Sequence, residues 1–290
     1  MNIRTTLIAA SAVVALAAPA ALAHRMWMIA SSTTVSGADN WVTVDAAVSN
    51  DLFFFDHQPI RVVPTVTQPD GTEGTVENHS IGKFRATFDV HLTQQGTYKI
   101  GALSQNVFGS YKLNGESKMI PRGTTVDKLA SVIPAGATDV QTSESVSRNE
   151  IFVTQGAPTN TVFKTSGKGI ELVPVTHPND LVVGEAATFQ FLLDGKPAPN
   201  LFVTVIPGGI RYRDNLKQQD LKTGADGKVS INWPDPGLYW VNVTPNRPRE
   251  EGPGPGAGAP GAGGPQGAGR PSGPPQRRVS YVTTVEVLAP

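Results

Sequence analysis

The chain has 290 residues with 24 basic and 24 acidic side chains, so its formal net charge is zero. This balance creates no bulk field that would attract nucleic acid or anionic lipid, and neither is expected as a partner. The chain contains no cysteine, which excludes disulfides, thiolate metal sites and cysteine nucleophiles. Such a composition suits the bacterial periplasm, where disulfides are allowed but not required.

The first 23 residues predict a cleavable signal peptide. Arg4 supplies the positive charge, residues 7–18 form the apolar stretch, and Ala21 and Ala23 are the small residues of a cleavage site. The apolar stretch is shorter than the roughly 20 residues that span a bilayer, so cleavage is favoured over an uncleaved anchor. A cut after Ala20 is the alternative. Cleavage after Ala23 leaves 290 − 23 = 267 residues that begin at His24, in the periplasm and without a membrane-inserted segment.

Short alternating segments predict a first β-sandwich domain over residues 24–160. The stretches WVTVDAAVS (41–49) and KFRATFDVHL (83–92) alternate apolar and polar residues, as half-buried strands do. The stretch RVVPTVTQPDGTEGTV (61–76) predicts two strands joined by a Pro-Asp-Gly turn. QQGTYKIGA (94–102) is expected to complete a hairpin with residues 83–92. Residues 125–132 are the best candidate for a helix.

The same pattern restarts in a second predicted domain, residues 161–290. EAATFQFLLDGKPAPNLFVTV (185–205) predicts strand, Asp-Gly turn and strand. Residues 247–278 are rich in Gly and Pro without a Gly-X-Y period, which predicts a disordered loop inside the last hairpin. The closing stretch VSYVTTVEVLA (279–289) alternates again. The fold class predicted is therefore all-β, with two immunoglobulin-like or prealbumin-like sandwiches in tandem.

Histidine is the candidate metal ligand in a chain without cysteine. Cleavage would give His24 both a free α-amino group and an imidazole, which can chelate one metal ion at neutral pH. One further imidazole would complete a three-nitrogen site suited to copper, or to nickel or cobalt with added ligands. Met26 and Met28 are either thioether donors or packing residues. Alternatively, His24 is only the residue that cleavage leaves first.

Three other histidines complete the candidate metal ligands. His91 shares a strand face with Asp89, as a ligand beside its carboxylate or as half of an exposed ion pair. His57 ends a strand, where it is a ligand or a turn residue, and His177 lies in the link to the second domain. No nucleophile, zinc-protease or phosphate-loop motif occurs. We therefore expect no catalytic residues and no enzymatic activity.

Several segments resemble the domain of unknown function 4198 family, periplasmic proteins often described as accessory components of nickel or cobalt uptake. The segments are AHRMWM, SNDLFFFDHQP, QQGTYKIGA, VTHPNDLVVGEAATFQFLLDGKPAPN, VIPGGIRYRD and ADGKVSINWPDPGLYWVN. The resemblance implies a metal-related role and a mature start at His24, and it suggests His57 and His177 as positions to test. Residues 175–245 are also similar to prealbumin-like modules appended to carboxypeptidases and outer-membrane receptors.

The function predicted is that of a periplasmic transition-metal-binding or accessory protein for nickel, cobalt, copper or iron uptake. Its partner would be a metal transporter of the inner or outer membrane, and its cofactor a divalent metal ion. The first alternative is a structural or protein-interaction module of the cell envelope that holds no metal. The second is a copper oxidase with a histidine brace.

Overall fold

The computed structural model describes residues 25–61, 63–246 and 277–290. The predicted signal peptide, His24 and nearly all of the Gly/Pro-rich segment lie outside the described residues. Within the described ranges the chain is all-β, as predicted. No helix in those ranges is long and apolar enough to cross a membrane.

Nineteen strands are described, most of them short. They are β1 (Arg25–Ala30), β2 (Thr34–Val35), β3 (Asn40–Ser49), β4 (Gln58–Pro59), β5 (Thr65–Thr67), β6 (Glu73–Gly74), β7 (Glu77–Ile81), β8 (Ala86–Leu92), β9 (Gly96–Leu113), β10 (Glu116–Met119), β11 (Thr138–Gln155), β12 (Ile170–Pro174), β13 (Ala186–Leu193), β14 (Lys196–Pro197), β15 (Phe202–Pro207), β16 (Gln219–Lys222), β17 (Lys228–Asn232), β18 (Gly237–Thr244) and β19 (Arg278–Val287). One short helix, α1 (Leu129–Val132), and two 3-10 turns (Thr161–Phe163 and Ile210–Tyr212) complete the regular structure.

The strands form three sheets in three layers. The N-terminal sheet has the order β1-β3-β8-β7, with β4 beside β3. The C-terminal sheet contains β12, β13, β14 and β17. Between them lies the shared sheet, in the order β16-β15-β18-β19-β11-β9-β5-β6, with β2 beside β11 and β10 beside β9. Strands β11 and β19 pair in parallel, and this pairing joins the two halves of the shared sheet.

The two main cores lie on opposite faces of the shared sheet. Because side chains alternate along a strand, Ile151 and Val153 of β11 enter the core beneath the N-terminal sheet. Val146 and Phe152 of the same strand enter the core beneath the C-terminal sheet. Every residue from 148 to 155 is consequently buried. The predicted division at residue 160 stays a prediction, and the shared sheet crosses it.

A third apolar cluster connects β1 to the C-terminal half of the shared sheet. It contains Trp27, Ala47, Leu52, Ile206, Ile210, Trp240 and Val282. The Trp240 indole N–H donates to the Met26 carbonyl at 2.8 Å, and the Trp27 indole N–H donates to the Ser49 hydroxyl at 2.7 Å. Both buried indoles therefore place their one polar atom on a partner, as a buried tryptophan requires.

Several local predictions are confirmed. The alternation of residues 83–92 forms β8, which buries Phe88, Val90 and Leu92. The Pro-Asp-Gly turn joins β5 to β6, and an Asp-Gly turn joins β13 to β14, both in antiparallel pairs. The last hairpin also forms, because β18 and β19 pair antiparallel on either side of the Gly/Pro-rich segment.

One local prediction is wrong, and another is confirmed only in part. Strands β8 and β9 form no hairpin, because β8 pairs with β3 and β7 whereas β9 pairs with β11, β5 and β10. The turn between β8 and β9 passes from the N-terminal sheet to the shared sheet. The helix expected over residues 125–132 is reduced to α1, the last four of those residues. Leu129 and Val132 of α1 pack on Val107 and Tyr111, where β9 and β11 extend past the sandwich.

Candidate functional site

One end of β3 brings together Arg25, the first residue of β1, and Gln58, the residue that follows His57. Arg25, the first residue of β1, pairs with Ser49 on one side of β3. Gln58, the first residue of β4, pairs with Val48 on the other side, so the exposed His57 immediately precedes a strand that begins here. His24 lies outside the described residues, but in the sequence it immediately precedes Arg25. We call this part of the fold the β1 corner.

A groove of about 260 Å³ opens beside the β1 corner, between the N-terminal sheet and the shared sheet. Its lining comprises Met26, Val48, Gln58, Pro59, Ile60, Arg61, Ala102, Ser104 and Ser147. Strands β9 and β11 form the floor, since Ser104 and Ser147 are paired in their register. The groove is mainly apolar, with two floor hydroxyls and one exposed cation, Arg61.

His91 lies at the opposite end of β3 from the β1 corner. It pairs with Trp41 in the register of β3 and β8, and the two rings are stacked at 4.2 Å. Its Nε2 contacts the Asp39 carboxylate. Trp41 and Ser49 are eight residues apart along β3, which corresponds to about 26 Å at about 3.3 Å per residue. His91 therefore lies far from Arg25, the first residue of β1.

His177 is held in a hydrogen-bonded network between the two halves of the molecule. Its Nδ1 accepts the Asn179 amide N–H at 3.1 Å, and its Nε2 lies 3.3 Å from the Thr159 carbonyl and 3.1 Å from the Thr97 hydroxyl. Because a carbonyl can only accept, the network assigns the proton to Nε2. Burial lowers the pKa of His177 below its ordinary value, against the opposing effects of Thr159 and Asp180. Both ring nitrogens are engaged, and neither is available to a metal ion in this conformation.

The three predicted ligands in the described ranges, His57, His91 and His177, thus lie at three separate places. In the described ranges no group of three or more His, Asp or Glu side chains is arranged to hold a metal ion. The four predicted ligands do not form one site here. His57 is the described histidine that lies at the β1 corner.

A buried ionic network, which the sequence did not indicate, connects the shared sheet to the C-terminal sheet. Arg148 of β11 lies 3.1 Å from Glu150 and 3.4 Å from Glu171 of β12, and all three side chains are at most a tenth exposed. Arg148 also donates to the Ser166 hydroxyl and the Lys168 carbonyl. The sequence of β11 contains no pattern that predicts a buried ion pair between Arg148 and Glu150.

Hydrogen bonds compensate one carboxylate of this network more fully than the other. Burial alone would raise the pKa of Glu171, but the amides of Ser166 and Gly167, the Ser166 hydroxyl and the charge of Arg148 together hold it below its usual value. Burial raises the pKa of the nearby Tyr281 well above its usual range, and the charge of Glu150 adds to the effect. The network is consistent with a structural role between two layers.

The fold and its surface define an all-β protein of two sandwiches built on one shared sheet, with a groove at the β1 corner. Residues 21–245 match the family described as domain of unknown function (DUF4198). This chain belongs to that family, in agreement with the resemblance found in its sequence segments.

Other comparisons add little. No curated protein matches the chain. It is similar to a solved DUF4785 family protein from Legionella pneumophila, with 5% identity and a TM-score of 0.23. The match covers 75% of this chain and 50% of the other, so this chain spans about half the length of that structure. A likeness this weak carries no functional argument.

Proposed function

We propose that this protein is an exported accessory protein of the cell envelope that binds a first-row transition metal ion at the β1 corner. The observation that carries the proposal is the pairing at one end of β3, where β1 begins directly after the predicted cleavage site and β4 follows His57. His24, through its amino group and imidazole, and His57 would be the ligands. A nitrogen-rich set of this kind suits copper, nickel or cobalt.

The proposed site has fewer ligands than the four histidines that the sequence predicted. His91 lies about 26 Å away along β3 and is paired with Asp39. His177 uses both ring nitrogens in hydrogen bonds. The proposal therefore keeps His24 and His57 as ligands, and leaves delivery to a membrane metal transporter as the physiological role.

The test is equilibrium dialysis of the processed protein against Cu(II), Ni(II) and Co(II), with three variants. An extra Gly before His24 should weaken binding at least tenfold, because it moves the free amine away from the imidazole. His57→Ala should weaken binding by a similar factor, whereas His91→Ala should leave it unchanged. Equal affinity in all four proteins would contradict the proposed site. Peroxide turnover by the copper-loaded protein would instead support a histidine-brace oxidase.

A second candidate function is an interaction module without metal, and an exposed aromatic patch favours it. Tyr212 is 82% exposed and lies edge-on to Phe54 at 6.0 Å, while the guanidinium of Arg211 stacks over Phe54 at 4.5 Å. Aromatic and arginine side chains are enriched at protein interfaces. Failure of all three metals to bind more tightly than about 10 μM, together with loss of a membrane-fraction partner on Tyr212→Ala, would favour this function.

A further inference from the structure

A small cavity lies beside the buried ionic network of Arg148, Glu150 and Glu171, between the shared sheet and the C-terminal sheet. Its volume is about 10 Å³, close to the roughly 10–15 Å³ that one water molecule requires. The cavity is therefore too small for an organic ligand. The residues that line it are Lys99, Glu150, Phe163, Lys164, Thr165, Glu171 and Leu172.

The ionic network carries one charge that its own members do not balance. Among the described residues Arg148 is the one cation in direct contact with Glu150 and Glu171. One positive and two negative charges leave a net charge of −1 on three side chains that are each less than a tenth exposed. A buried charge is costly unless another group compensates it. A second cation near the network would remove this cost.

The register of β9 and β11 places Lys99 next to the network. Glu150 pairs with Gly101 and Phe152 pairs with Lys99, so Lys99 is the diagonal neighbour of Glu150 on the same face of the shared sheet. Gly101 has no side chain, and Glu150 leans over it. A Cβ added at Gly101 would lie 3.3 Å from the Glu150 Cγ and 3.8 Å from its Oε1.

The spacing of Lys99 and Glu150 leaves room for one molecule between their charged groups. Diagonal neighbours in an antiparallel pair are about 7–8 Å apart, within the reach of long side chains. No direct ion pair joins Lys99 to any residue in the part of the chain that the structure describes, although both residues line the cavity. A water molecule there can donate to a carboxylate and accept from an ammonium group.

We propose that the cavity binds one water molecule, which donates a hydrogen bond to Glu150 and accepts one from Lys99. Through this water Lys99 becomes the fourth charged member of the network, and the network becomes neutral. A bridging water is nearly as favourable as a direct hydrogen bond. Lys164 also lines the cavity, but it is exposed and lies outside β9 and β11, so its ammonium group stays in bulk water.

The first test is a crystal structure of the processed protein at a resolution that shows ordered water. We expect one water molecule in the cavity, with its oxygen about 2.5–3.2 Å from both the Glu150 carboxylate and the Lys99 Nζ. This measurement needs no substitution, so it decides the proposal even where a variant fails to fold.

The second test is a double-mutant cycle between Lys99→Met and Glu150→Gln, measured by urea unfolding. Lys99→Met should lower the equilibrium constant for folding at least about fivefold when Glu150 is present. In the Glu150→Gln background the same substitution should lower it less than about twofold, because the charge that Lys99 balances is gone. Lys164→Met is the matched control, and its effect should stay below about twofold in both backgrounds.

Absence of an ordered water between Glu150 and Lys99 in the crystal would overturn the proposal. A water bonded to Lys164 in place of Lys99 would do the same, since it would assign the bridge to the wrong cation. An equal effect of Lys99→Met with and without the Glu150 carboxylate would show that the two charges are not coupled.

Discussion

Removal of Arg148 should destabilise the protein more than removal of almost any surface cation. Arg148→Met keeps most of the side-chain volume but leaves Glu150 and Glu171, each 5% exposed, without the cation between them. Breaking a buried pair by deleting one partner costs about 3–5 kcal/mol. Glu171 retains three hydrogen bonds from Ser166 and Gly167, so most of the cost should fall on Glu150.

The unequal division of this free-energy cost between Glu150 and Glu171 can be tested with a second substitution. In the double variant Arg148→Met/Glu150→Leu the less compensated carboxylate is gone, and about 2 kcal/mol or more of the loss should be recovered. The double variant Arg148→Met/Glu171→Leu should recover less, because Glu171 is stabilised by its own amide donors.

The assay is urea unfolding followed by tryptophan fluorescence. Arg277→Met is the matched control: Arg277 pairs with Asp194 and Glu144 but is 40% exposed, so it should cost only about 0–1 kcal/mol. A loss below about 1 kcal/mol for Arg148→Met would refute the view that the buried carboxylates depend on Arg148 for their compensation. If the two double variants recovered the same free energy of unfolding, the expectation that most of the cost falls on Glu150 would be refuted.

Two further predictions concern other buried or strained positions. Asn149→Leu should raise the free energy of unfolding by about 1–2 kcal/mol in urea unfolding, because it replaces unpaired polar atoms with apolar ones; a destabilised variant would show that the amide has a structural partner. Gly227→Ala should cost at least about 1 kcal/mol more than Gly115→Ala by thermal unfolding, because both have positive φ but only at Gly227 would the new Cβ lie 2.6 Å from a backbone oxygen; equal costs would contradict the clash.

The strands were predictable where one face is buried and the other exposed. β8 is the clear case, since the residues that alternate in sequence alternate in burial. β11 has no such alternation in its second half, because cores on both faces bury it, and an alternating pattern could not predict this strand. Local pattern also cannot tell whether a turn reverses the chain within a sheet or moves it to another sheet, and this is why the hairpin of β8 and β9 was predicted wrongly.

The sequence could predict a candidate site residue only where the chemistry of its side chain identifies it. His57 was predicted because imidazole binds metal ions, and its role as a ligand stays a prediction. The groove floor is formed by Ala102, Ser104 and Ser147, whose side chains are individually unremarkable and are brought together only by the register of β9 and β11. Asn149 and Arg148 gave no signal, because burial of a polar side chain depends on the layer that covers it.

The position of β19 has a consequence for the order of folding. β19 lies between β18 and β11, so it is the strand that closes the shared sheet, although it follows every other strand in the chain. Until it is in place, β18 and β11 each present an open edge, the kind of surface that recruits other chains into aggregates. Parallel, non-local pairing is also slow to form. Any chaperone that protects the nascent protein would therefore have to cover these two edges for as long as residues 278–287 are unpaired.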